Sequence, residues 1–220
     1  MKLQAIMKKI IYIICIFWLG LLGSTGVTHA INYDTWRVAE ARLGRNNELR
    51  SEMWLVEYSF DNRLENTANE WSEYMNNLWT WTHKRSKNDG FYTYSSLENW
   101  FGDRWLEFAN VKWVTFTENV WVWYVSCKQE ECTDEVIKAI KTTRNMYMWE
   151  AKYRWAHYKS LVQPRFRYIW FWLVINSKNK YYLTVHYATS IKDISGSKNK
   201  PETKKVKKIN INELDKLSIN

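Results

Sequence analysis

After its leader, this chain has almost no glycine. Seven Gly occur in 220 residues, and three of them, Gly20, Gly23 and Gly26, lie in the first thirty. That leaves Gly44, Gly90, Gly102 and Gly196, with none between Asp103 and Ile194. Average usage near 7% would put about thirteen in a chain of this size. Turns and helix ends that need φ > 0 normally fall to glycine, so a long glycine-free stretch restricts which loops the chain can make. Tryptophan is in surplus instead, with fourteen of the 15 Trp beyond the leader. "NVWVWYV" and "YIWFWLVI" each place two of them at strand spacing, Trp121 with Trp123 and Trp170 with Trp172. On a strand such pairs share a face, which suits either an aromatic core or a stacking platform for sugars or bases.

The first thirty residues read as a secretory signal peptide. Lys2, Lys8 and Lys9 open it, an apolar run spans Ile10 to Leu22, and Thr28 and Ala30 supply the small residues before a cleavage site. The run is short for a bilayer span of about 20 residues. Export makes Cys127 and Cys132, with four residues between them, a disulfide in an oxidising compartment. A metal site at this pair lacks a further cysteine or a nearby histidine to complete it.

The formal charge of +9 overstates the body. Residues 190–220 hold eight Lys against four acids, and residues 31–189 hold 21 basic against 19 acidic residues. A body so nearly balanced is not a nucleic-acid binder. The tail is Lys-rich and poor in apolar residues, the composition of a disordered segment.

Periodicity orders the rest. "DTWRVAEARLGRNNELRSEM" reads as a helix, followed by a turn around Tyr58 to Asn62. Leu64, Ala68, Trp71, Met75 and Leu78 draw one apolar stripe down a second helix. A short helical piece follows in "SSLENWFGDRW", then an extended "VTFTENVWVWYV". Thr133 is placed to cap a helix whose first turn carries Asp134 and Glu135, with Val136, Ile140, Thr143 and Tyr147 as its buried face. Strands Arg167 to Ile175 and Tyr181 to Ala188 close the chain as a hairpin through "NSKNK". The order predicts an α+β domain over 31–189, helices packed on a mainly antiparallel sheet.

The succession "NNELRSEMWLVEYSFDNRLENTANEWS", "THKRS", "TENV", "MWEAKYRWAHYKSLV" and "KYYLTVHYA" resembles the CAP superfamily, the cysteine-rich secretory, antigen 5 and pathogenesis-related domain also called SCP. The resemblance covers about Trp36 to Ala188. It implies a three-layer α-β-α sandwich with a cleft holding two His and two Glu, which fall here on His83, Glu118, Glu150 and His157. Thr117 departs from the family's usual glycine before the first Glu. Two neutral imidazoles with two carboxylates suit a divalent ion such as zinc, with His83 and His157 as ligands, or an acid/base set. The implied partner is a small molecule, lipid or envelope component bound by a monomer, with membrane contact only through the leader or the basic tail. A metal-assisted hydrolase of a peptide or envelope polymer is the enzymatic alternative, although no G-x-S-x-G elbow or Ser/Cys–His triad context is present. A carbohydrate-binding aromatic module is the third reading, and it requires Trp170 and Trp172 to be exposed together. His186 alternates with Val185 and Tyr187 on a strand and reads as structural.

The same resemblance bears on the glycine deficit. "RYIWFWLVIN" looks like a family strand with G-x-G at Trp170 and Trp172, and Trp54 stands where the family often has Gly. Trp79, Trp105, Trp121, Trp123 and Trp155 also fall at turn-like or glycine-like places. Trp71 and Trp100 sit in apolar helical contexts of their own. The expectation is that several of the eight are UGA codons in a lineage that reads UGA as glycine.

Overall fold

The computed structural model describes residues 31–108, 115–129 and 131–192. Residues 1–30, expected to be a signal peptide, and most of the Lys-rich segment 190–220 lie outside the described residues. Within these residues, five helices and four strands follow in the order α1 (Thr35–Glu52), β1 (Ser59–Phe60), α2 (Arg63–Asn77), α3 (Tyr94–Gly102), β2 (Phe116–Tyr124), α4 (Thr133–Trp149), α5 (Ala156–Val162), β3 (Tyr168–Ile175) and β4 (Lys180–Ala188). A 3₁₀ turn, Glu150–Tyr153, joins α4 to α5.

The sheet order is β1-β3-β4-β2. β4 pairs antiparallel with both β3 and β2, while β1 pairs parallel with β3 through Ser59 and Phe60. The sheet is therefore mixed rather than wholly antiparallel. Its parallel element is the segment expected to be a turn, and two residues are too few for a period-2 pattern to show.

Alternation along β3 builds the two outer layers. Ile169, Phe171 and Leu173 face a core with Val38 and Leu43 of α1, Val136, Ile140 and Tyr147 of α4, and Leu161 of α5. Tyr168, Trp170 and Trp172 face the opposite core with Leu64, Ala68, Trp71 and Met75 of α2 and Leu97 and Phe101 of α3. β4 is covered on both sides and is buried from Tyr181 to Ala188. This is the expected α-β-α sandwich.

The stripe on α2 is buried as predicted up to Met75, but Leu78 is exposed because the helix ends at Asn77 and Leu78 is already its C-cap. Thr133 is the first residue of α4 rather than its cap, which is Cys132. The Thr133 hydroxyl instead accepts the Asp34 N–H at 2.8 Å, tying the start of α1 to the start of α4. Cys127 and Cys132 form the expected disulfide. Arg50 at the end of α1 is fully buried and bonds carbonyls rather than a carboxylate. It donates to the carbonyls of Val56, Leu161, Gln163 and Phe166 at 2.7–3.1 Å and so pins the α5–β3 connection.

The aromatic-platform reading fails on its own condition. Trp170 is 7% exposed and packs on Phe60 at 4.7 Å and on Trp36 at 6.2 Å. Trp172 is half-buried against the α2 layer. These indoles fill the core that the sheet shares with α2 and present no shared open face.

Candidate functional site

The four expected residues form two pairs, one on each face of edge strand β2. Glu118 points from β2 into the α2–α3 layer, where its side chain has no exposure. It accepts from His83 Nδ1 at 2.8 Å through Oε1 and from His186 Nε2 at 2.8 Å through Oε2. Arg85 closes a fork on the same carboxylate, from one guanidinium nitrogen to Oε1 at 3.0 Å and from the other to Oε2 at 2.5 Å. The guanidinium lies over Trp71 at 3.3 Å and Trp100 at 4.4 Å from the ring centroids. These two core tryptophans therefore support the cation.

Burial alone would raise the Glu118 carboxyl. Arg85, with the hydrogen bonds from His186 and His83, outweighs it and holds the group well below its ordinary value. His186 is pushed down by burial, against the pull of Glu118. Both of its ring nitrogens are engaged, Nε2 with Glu118 and Nδ1 with the Thr67 hydroxyl at 2.9 Å.

The second pair lies on the other face. Glu150 begins the 3₁₀ turn and accepts from His157 Nδ1 at 2.7 Å. The His157 ring stacks on Tyr147 at 4.5 Å and meets Trp121 edge-on at 6.2 Å. Asn119 of β2 donates to the His157 carbonyl at 3.3 Å and accepts from Ser160 at 2.9 Å, so α5 is held to the strand that also carries Glu118. Burial pushes the His157 imidazole below its ordinary 6.5, Glu150 opposes this, and the charge of His83 adds to the depression. Glu150 Oε2 is buried without a hydrogen-bond partner.

His83 and His157 thus share one arrangement. In each, a carboxylate fixes Nδ1–H, and among the described residues no protein group bonds Nε2. A neutral imidazole held this way presents a free Nε2 lone pair. The carboxylates are not equally free: Glu118 is saturated by two imidazoles and Arg85. Among the described residues no group of three or more His, Cys, Asp or Glu is placed to hold a metal ion.

Sequence reasoning missed Arg85, and it read His186 as structural, which its full burial supports, without finding its partner. Arg85 stood in "THKRS", two residues past His83. His186 is the cross-strand partner of Glu118 in the β2–β4 register, so strand pairing held the signal that alternation did not.

A three-layer α-β-α sandwich is the architecture of a CAP-type domain. The model of the cysteine-rich secretory protein family matches residues 43–187, and the chain belongs to this family. Among solved structures, an outer surface protein from Borrelia burgdorferi is similar at 15% identity and a TM-score of 0.45, over 66% of this chain and 87% of that one. No curated protein matches the chain.

Proposed function

We propose that this is a secreted CAP-domain binding protein whose His83 and His157 take a divalent metal such as zinc, with a small or envelope-derived ligand completing the coordination. The observation that carries the reading is the shared tautomer: Glu118 and Glu150 each hold an Nδ1–H, at 2.8 and 2.7 Å, and leave Nε2 available. Carboxylate-backed imidazoles of this kind are the usual ligands of zinc. The ion would supply Lewis acidity and an anchor for anionic groups. The chain's own part is to orient the imidazoles through Glu118 and Glu150, while burial lowers His157 and so favours its neutral form.

Binding is favoured over catalysis because no Ser/Cys–His triad context accompanies the imidazoles and Glu118, clamped by Arg85, has no oxygen left to serve as a general base; Glu150, with Oε2 unpaired, is the carboxylate a hydrolase would use. Secretion rests on the leader. The test is equilibrium dialysis of the mature chain against zinc, beside His83→Ala and His157→Ala, together with a turnover assay on peptide and envelope polymer. Zinc retained by the parent, weakened at least tenfold in each variant and unaccompanied by turnover, is the expected result. Equal retention by all three proteins contradicts the site, and turnover lost in both variants moves the reading to the hydrolase.

A further inference from the structure

The backbone separates the tryptophans into groups. Five non-glycine residues among those described have φ in the left-handed region, and three of them are Trp54 (57°), Trp79 (53°) and Trp105 (61°). The other two are Arg154 and Asn179. A few per cent of ordinary residues with φ > 0 is normal, but the position is a real outlier for a bulky side chain. None of Gly44, Gly90 or Gly102 has φ in that region. The chain therefore keeps glycine where the backbone does not need it and puts tryptophan where it does.

The three sites share one motif. Each follows the end of a helix and carries the paired hydrogen bonds of a Schellman cap, in which the residue at C′ is left-handed and is usually glycine. After α1, Trp54 N–H donates to Ser51 O at 3.0 Å and Leu55 N–H to Arg50 O at 2.8 Å. After α2, Trp79 donates to Asn76 at 3.1 Å and Thr80 to Met75 at 3.0 Å. After α3, Trp105 donates to Gly102 at 3.0 Å and Leu106 to Phe101 at 3.1 Å.

Burial does not offset the strained backbone. Trp54 is 96% exposed, Trp105 80% and Trp79 53%. The contrast with Trp71 and Trp100, which are buried and hold Arg85, is complete. Trp155 does not join the group: it is extended at φ −71°, and its neighbour Arg154 takes the left-handed place. The strand tryptophans at 121, 123, 170 and 172 lie on extended, laddered backbone that any residue adopts.

We propose that residues 54, 79 and 105 are glycine in the protein its own cell makes, decoded from UGA, and that tryptophan stands there only under a code that reads UGA as tryptophan. Three helix ends then carry the residue their hydrogen bonds call for, and three exposed indoles leave the surface.

The direct test is to read codons 54, 79 and 105 in the gene and to sequence the matching peptides of the protein from its native cell by mass spectrometry. UGA codons with glycine-bearing peptides are expected. A UGG codon at any of the three positions, or a tryptophan-bearing peptide, overturns the assignment there. A second measurement uses the full mature chain from an ordinary host: Trp54→Gly, Trp79→Gly and Trp105→Gly should each raise Tm by about 2–4 °C, while Trp71→Gly lowers it. A combined glycine variant that melts below the parent contradicts the proposal.

Discussion

The two His–Glu pairs use the same hydrogen bond in opposite environments. The Glu118 side chain has no exposure and its partner His83 is 6% exposed, while Glu150 and His157 are 10% and 17% exposed. Glu118 serves three cationic or donor groups, whereas Glu150 serves one and leaves Oε2 unpaired. One pair is a cross-braced part of the core and the other a lightly held arm at its margin. The same chemical unit is thus enclosed and cross-braced in one place and held by a single hydrogen bond in the other.

Removing the carboxylates gives the largest separation. Glu118→Ala strands the Arg85 guanidinium between Trp71 and Trp100 and should cost about 3–5 kcal/mol in denaturant unfolding. Glu150→Ala should cost about 1 kcal/mol, the loss of one partly exposed hydrogen bond. Equal costs would erase the distinction between the pairs.

Opening the disulfide comes next. The Cys127–Cys132 loop ends at the cap of α4, the helix that carries Tyr147 beneath His157. A loop this short contributes about 2 kcal/mol on the chain-entropy account. Cys127→Ser with Cys132→Ser should lower stability by that amount and broaden the His157 resonances more than those of His83. Equal broadening would mean that the arm is no looser than the core.

The smallest effect is on pH dependence. His157 and His186 have folded-state values below the ordinary 6.5, so the unfolded chain binds their protons first. Their contribution is present above about 6.5 and is lost as pH falls below it. Glu118, depressed from 4.5, adds stability that is lost only as pH falls further, through its own lowered value. Stability should decline in two stages on acidification. His186→Gln should flatten the upper stage, and an unchanged profile would remove His186 from it.

Much of the fold was legible because its signals are local. The α2 stripe, the buried face of α4 and the terminal hairpin each follow from spacing within one segment. The site was legible only in part. His83, Glu118, Glu150 and His157 came from motif order, and the structure joins them two by two. His186 was opaque because β4 is buried on both faces, which erases alternation, and its meaning lies in a partner 68 residues away. Arg85 was hidden by a composition that makes one more cation look solvated. Trp170 and Trp172 read equally well as a surface or a core, and only the α2 layer decides between them.

Three imidazoles, and which of their nitrogens the protein leaves unbonded, decide the proposed site. Nitrogen-15 NMR of the imidazole rings during a zinc titration tests it at the atom. The prediction is that Nε2 of His83 and of His157 shift together with zinc while both nitrogens of His186 stay in place, held by Glu118 and Thr67. A zinc response at His186, or none at His83 and His157, would contradict it.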